Sequence, residues 1–98
     1  MNLLELTSKV EAIAAKKQGA VNAKIKFKFE EGNIFLDDTK SPSLVNNTDE
    51  YADCTIKLSM KNFEKLMNGD MNPMGAFMMG KLKVDGDMSV AMKLSSLF

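Results

Sequence analysis

The stretch from Ala52 to Leu94, ADCTIKLSMKNFEKLMNGDMNPMGAFMMGKLKVDGDMSVAMKL, decides how the chain folds. Ala52, Cys54, Ile56 and Leu58 alternate with Asp53, Thr55, Lys57 and Ser59, the period of a strand with one wet face. Ser59 then sits as the N-cap of a helix in which Met60, Phe63, Leu66 and Met67 share a face, ending near Gly69. Asn72-Pro73 is a cap and first-turn signal for a second short helix through Met79, stopped by Gly80. Lys81 to Asp85 alternates again, with Leu82 and Val84 opposite the lysines, and Asp87 caps a helix that continues to the C-terminus. On a helical wheel Leu97, Val90, Leu94, Phe98, Ala91, Met88 and Met92 of that helix span roughly 220°, leaving Ser89, Lys93 and Ser96 on the polar side. A stripe that wide fits either a helix wedged between sheet and helix or one that turns Met88 and Met92 toward a ligand. Eight of the nine methionines fall between Met60 and Met92, and their flexible thioethers suit an irregular apolar guest as well as a core.

Toward the N-terminus, Leu3, Leu6, Val10, Ile13 and Ala14 recur at helical spacing behind Asn2 and Glu5, a variant of the capping box. This predicts a helix over Asn2 to Lys17, closed by Gly19. Ala23, Ile25, Phe27 and Phe29 alternate with lysines, Glu31-Gly32 turns the chain, and Asn33 to Asp38 returns with Ile34 and Leu36 inward. Thr39 to Glu50 has loop composition, with at most a short strand around Leu44 and Val45. The acidic pairs Glu30-Glu31 and Asp37-Asp38 lie beside turns, where solvated charge is expected.

Composition excludes several functions. The 98 residues predict a single domain, 1–98, with ordinary apolar and charged content. Thirteen lysines balance thirteen carboxylates and arginine is absent, so no nucleic acid partner is expected. Histidine is absent and Cys54 is the single cysteine, which leaves no zinc or copper site, no disulfide and no cofactor to propose. Cys54 as a thiol nucleophile lacks a base, and a buried structural role is expected instead. The glycines form neither a GxGxxG nor a Walker pattern, and no general acid and base pair stands out. No apolar run approaches the roughly 18 residues of a membrane span, nor is there a signal-peptide pattern. The expectation is a soluble, intracellular chain.

The runs ADCTIKLS, NFEKLMNGDMNP, AFMMGKLKVDGDM and AMKL, with Gly69 and Pro73 as punctuation and Gly80-Lys81-Leu82-Lys83 leading to Gly86, resemble the sterol carrier protein 2 domain family. The resemblance is close from Ala52 to Leu97 and weaker through the N-terminal helix and hairpin. It implies an α+β fold with a five-stranded, mostly antiparallel sheet covered on one face by helices around an apolar tunnel. It also implies non-enzymatic lipid binding and transfer, with fatty acid, fatty acyl-CoA, sterol or phospholipid as the ligand and transient membrane contact as a further expectation. Candidate lining residues are Phe63, Met67, Met71, Met74, Phe77, Met78, Met88 and Met92, each of which also suits ordinary core. Lys81 and Lys83, or Lys61 and Lys65, are candidates for acyl-CoA phosphates. Three departures from the family pattern stand out. The chain ends Ser96-Leu97-Phe98 rather than in a Ser-Lys-Leu type signal, which points to the cytoplasm; the C-terminal extension of some members is missing; and Ile34-Phe35-Leu36 stands where many relatives carry a tryptophan. An accessory protein-interaction domain gripping a partner with its methionine-rich surface is the alternative.

Overall fold

The computed structural model describes residues 1–98. The sequence signals become ten elements: α1 (Leu3–Lys16), β1 (Lys24–Phe29), β2 (Gly32–Asp37), β3 (Leu44–Asn46), β4 (Cys54–Lys57), α2 (Met60–Met67), α3 (Pro73–Met78), β5 (Lys83–Gly86), α4 (Met88–Met92) and α5 (Leu94–Leu97). The strands form one sheet in the order β3-β2-β1-β4-β5, antiparallel except for the central β1–β4 pair.

Register follows from alternation. Ile34, Phe27, Ile56 and Val84 stand opposite one another across β2, β1, β4 and β5, and Val45, Leu36, Ile25 and Cys54 make the neighbouring row. A one-residue slip would send both rows to the wet face. The second row ends at Gly86, where φ is 112° and an added Cβ would lie 2.5 Å from the Asp53 carbonyl oxygen, so only glycine fits. On the other face Lys28, Lys57 and Lys83 form a matching row over three strands.

The helices begin where their caps stand. Asn2 Oδ1 accepts from the Glu5 amide at 2.9 Å while the Glu5 carboxylate accepts from the Asn2 amide at 3.3 Å, a complete capping box. Ser59, Asn72 and Asp87 accept in the same way from the amides of Asn62, Met74 and Ser89. Leu6, Val10 and Ala14 of α1 and Phe63 and Leu66 of α2 are buried over the sheet's apolar face.

Three features depart from the sequence-based expectations. The last helix is two short ones: the Lys93 amide donates to Val90 O at 3.0 Å, an i→i+3 bond that tightens the chain and re-aims the C-terminal turn. Through this break Val90 and Ala91, then Leu94 and Leu97, are all buried, which a single straight helix with a 220° stripe does not achieve. Phe35, on the face expected to be wet, is also buried. Its cross-strand neighbour Lys26 donates to Asp49 Oδ1 at 2.6 Å and Glu50 O at 2.9 Å, so the connection before β4 crosses that face. Asp37 and Asp38 are buried rather than solvated. Between sheet and helices lies Phe63, whose ring is 4.6 Å from Phe27, 5.2 Å from Phe29 and 5.6 Å from Phe98 between centroids.

Asp38 accounts for how the α1–β1 connection closes. Its carboxylate accepts from the amides of Gly19 at 3.1 Å and of Val21 and Asn22 at 2.9 Å each, and from the Ser43 hydroxyl. Burial pushes its pKa upward, but the bonds from Ser43, Asn22, Gly19 and Val21 outweigh that and hold it below the usual carboxylate value.

Candidate functional site

Open volume appears where β5, an edge strand, meets the short helices. Leu82 and Val84 project from the β5 side, α3 contributes Pro73, Met74 and Phe77, α4 contributes Met88, Ala91 and Met92, and α5 supplies Leu94 and Ser95. Together they line a narrow apolar cleft, open to solvent, with a cavity volume of about 20 Å³. A second cleft, with a cavity volume of about 220 Å³, is lined by Leu66, Gly69, Met71, Asn72, Pro73, Ser95 and Phe98. Pro73 and Ser95 belong to both, so the contact of α3 with α5 is the wall between them.

The wall is built from short elements. α3 buries Ala76 alone of its six residues, and Gly69 (φ 80°) and Gly80 (φ 74°) stand on either side of it. Its anchors are the Asn72 cap, with bonds of 2.9 and 3.2 Å to the Met74 and Gly75 amides, and the Lys81 amide donating back to Ala76 O at 2.8 Å. Pro73 at the first turn costs no intrahelical bond. Phe98 stands between the second cleft and the aromatic core, 6.0 Å from Phe27 between centroids.

The eight lining candidates separate into distinct places. Met74, Phe77, Met88 and Met92 come together on the first cleft and Met71 lies on the second. Phe63 is fully buried core, and its helical stripe position could not distinguish that from lining. Met67 packs partly buried against the core and touches neither cleft. Met78 points outward, 80% exposed. Sequence reasoning missed Leu82, Val84, Ala91, Leu94, Pro73 and Ser95 as cleft residues. The alternation of Leu82 and Val84 marked them as apolar sheet face, but only the strand order reveals that β5 is an edge whose cover is thin.

Cys54 is buried on β4. Burial above all, with the carboxylates of Asp87 and Asp85 adding to it, pushes its thiol pKa up to about 11. The thiol is held protonated at pH 7, the opposite of an activated nucleophile. No three His, Cys, Asp or Glu side chains converge as a metal site would require, and no helix is long and apolar enough to cross a membrane.

The strand order, the apolar sheet face under α1, α2, α4 and α5, and the hydrophobic clefts beside β5 define a small α+β domain with an apolar site at the sheet edge. The profile of the SCP-2 sterol transfer family matches residues 2–98, and the chain belongs to that family. It is 51% identical to human sterol carrier protein 2 over 55 residues, which are 56% of this chain but 10% of the human protein. The solution structure of the sterol carrier protein domain 2 of Helicoverpa armigera superposes with a TM-score of 0.78 at 25% identity, covering 95% of this chain and 82% of that one. The palmitated SCP2L2 of Aedes aegypti has the same fold, with a TM-score of 0.78 at 15% identity over 99% of this chain and 94% of that one.

Proposed function

We propose that this domain binds a single lipid chain in the clefts beside β5 and carries it through the cytoplasm without catalysing a reaction on it. The observation that carries the reading is the pair of clefts divided only by the Pro73–Ser95 wall. Displacing α3, which buries one residue, would join cavities of about 20 and 220 Å³, and a lipid requires that enlargement because the two as they stand are smaller than ordinary small-molecule sites. Family membership supports the ligand class, and the Aedes aegypti protein of the same fold is palmitated. Burying an acyl chain contributes about 0.8 kcal/mol per methylene, on the order of 10 kcal/mol for a long chain before ordering costs, so no charged anchor is required. Fatty acid, fatty acyl-CoA and sterol all meet that requirement. For acyl-CoA, Lys81, next to the cleft residue Leu82, is a candidate phosphate partner, whereas Lys83 stands with Lys57 on the opposite face of the sheet.

Native mass spectrometry of the freshly purified protein should show a bound lipid, and a fluorescent fatty acid should bind and be displaced by an unlabelled one. Absence of both from folded protein overturns the proposal.

A further inference from the structure

Sulfur lines the first cleft on two sides. Met74 of α3 and Met88 and Met92 of α4 all belong to its wall, and all three are open to solvent, at 43%, 43% and 57% exposure. Leucine would cover the same area with a fixed shape and no reactive atom, whereas a thioether in reach of water is open to oxidation. Ser95 is the one lining residue with a polar side chain, and none carries a charge.

The other sulfur atoms of the chain stand apart from this group. Cys54 is buried on β4, and burial, with the carboxylates of Asp87 and Asp85, keeps its thiol protonated, so an oxidant meets no thiolate there. Met60, Met67 and Met71 pack partly buried against the core. Met78 and Met79 are more exposed than any cleft methionine, and with Met1 they line neither cleft. An oxidant in solution therefore reaches two sets of thioethers, one in the wall of the cleft and one outside it. The cleft itself holds about 20 Å³, room for about one water molecule. An oxygen added to a sulfur of this wall competes for that space, and a lipid chain pressed against it would leave the new polar group short of partners.

We propose that Met74, Met88 and Met92 form an oxidation site at which hydrogen peroxide closes the first cleft to lipid. The thioether sulfur attacks one peroxide oxygen; an S–O bond forms as the O–O bond breaks, and the proton of the attacked oxygen passes to the departing hydroxide, which leaves as water. Sulfur gives up two electrons, the peroxide takes them, and the product is methionine sulfoxide, a polar group that reductases convert back to the thioether. Closure of the site rests on the lipid-carrier reading. Met78 and Met79 are oxidised as well, without effect on the cleft.

The test treats the full chain with hydrogen peroxide, removes the oxidant, maps the sulfoxides by peptide mass spectrometry and titrates a fluorescent fatty acid. Oxidation at Met74, Met88 and Met92 should weaken binding at least about tenfold while thermal unfolding stays cooperative. Methionine sulfoxide reductases of both stereospecificities should restore it. The variant combining Met74→Leu, Met88→Leu and Met92→Leu should bind equally before and after peroxide, whereas Met78→Leu with Met79→Leu should lose binding on oxidation as the parent does. The oxidation site is overturned by full affinity with the three cleft methionines oxidised, by cleft methionines that stay unmodified while Met78 and Met79 react, by loss that persists in the triple variant, or by loss that comes with unfolding. Untreated, folded protein that binds no fatty acid refutes the carrier reading and the closure with it; binding that survives oxidation refutes the closure alone.

Discussion

The sheet's central strands and the roof over β5 solve the same problem, covering an apolar face, in opposite ways. Over β1 the cover is long and dense. The fourteen residues of α1 and the Phe63 ring of α2 pack into one core with the sheet, and the α1–β1 connection is tied to Asp38 by three amides. Over β5 the cover is three helices of six, five and four residues, bounded by glycines and lined with methionine. Close-packed interiors resist change, and short helices with few buried residues open at low cost. Stability and ligand access are thus assigned to different parts of one small domain.

That division fails if the two regions respond alike to mutation. The largest effect should come from Phe63→Ala, which empties the centre of the aromatic cluster and is expected to cost about 3–5 kcal/mol in urea or thermal unfolding. Next is Asp38→Asn, which replaces an acceptor of three amides by a group with its own donors and should cost about 2–3 kcal/mol at pH 7. Asp38 also predicts a pH dependence. Its folded pKa is lowered from 3.8, so its contribution is present above that value and disappears as pH falls through the folded pKa. The acid limb of a stability profile should therefore be shallower in Asp38→Asn; an unchanged slope would mean that the carboxylate is not what latches the connection.

The dense region was easier to read from the sequence than the open one, and within each the misses have physical causes. Alternation and capping residues located the strands and the starts of α1 to α4 within a few residues, because both signals are local, whereas α5 has no capping side chain and was not foreseen. Asp38 looked like a turn carboxylate because its donors lie at Gly19, Val21 and Asn22, on the far side of a hairpin. Phe35 looked solvent-facing because nothing local shows that the chain near Asp49 crosses over Lys26. In the roof, a 220° apolar stripe was compatible with one helix or two, and the break at Lys93 chose. Methionine serves core and cleft equally, so Met67 and Met78 could not be told from Met88 and Met92 until the edge position of β5 was known.

Filling the first cleft sharpens the contrast from the other side. Met88 is partly exposed on that cleft, and Met88→Trp places a larger ring there. Unfolding free energy should change by less than about 1.5 kcal/mol. Affinity for a fluorescent fatty acid should nevertheless drop at least about tenfold, equivalent to about 1.4 kcal/mol. A large loss of stability with binding intact would show that this cleft is packing space and that the ligand enters elsewhere.

The smallest expected effect is the most specific to α3. Asn72→Ala removes the side chain that accepts from the Met74 and Gly75 amides and should cost about 1 kcal/mol of local stability. Because α3 holds only Ala76 in the core, that cost should appear as faster hydrogen exchange at the α3 amides, with exchange in β1 and β4 unchanged. If α3 is the wall whose movement joins the two clefts, the same loosening should speed fatty-acid uptake in stopped flow, since the opened state is reached more often. Faster exchange without faster uptake would separate the helix's mobility from entry of the ligand, and would place the entrance at the second cleft, beside Phe98.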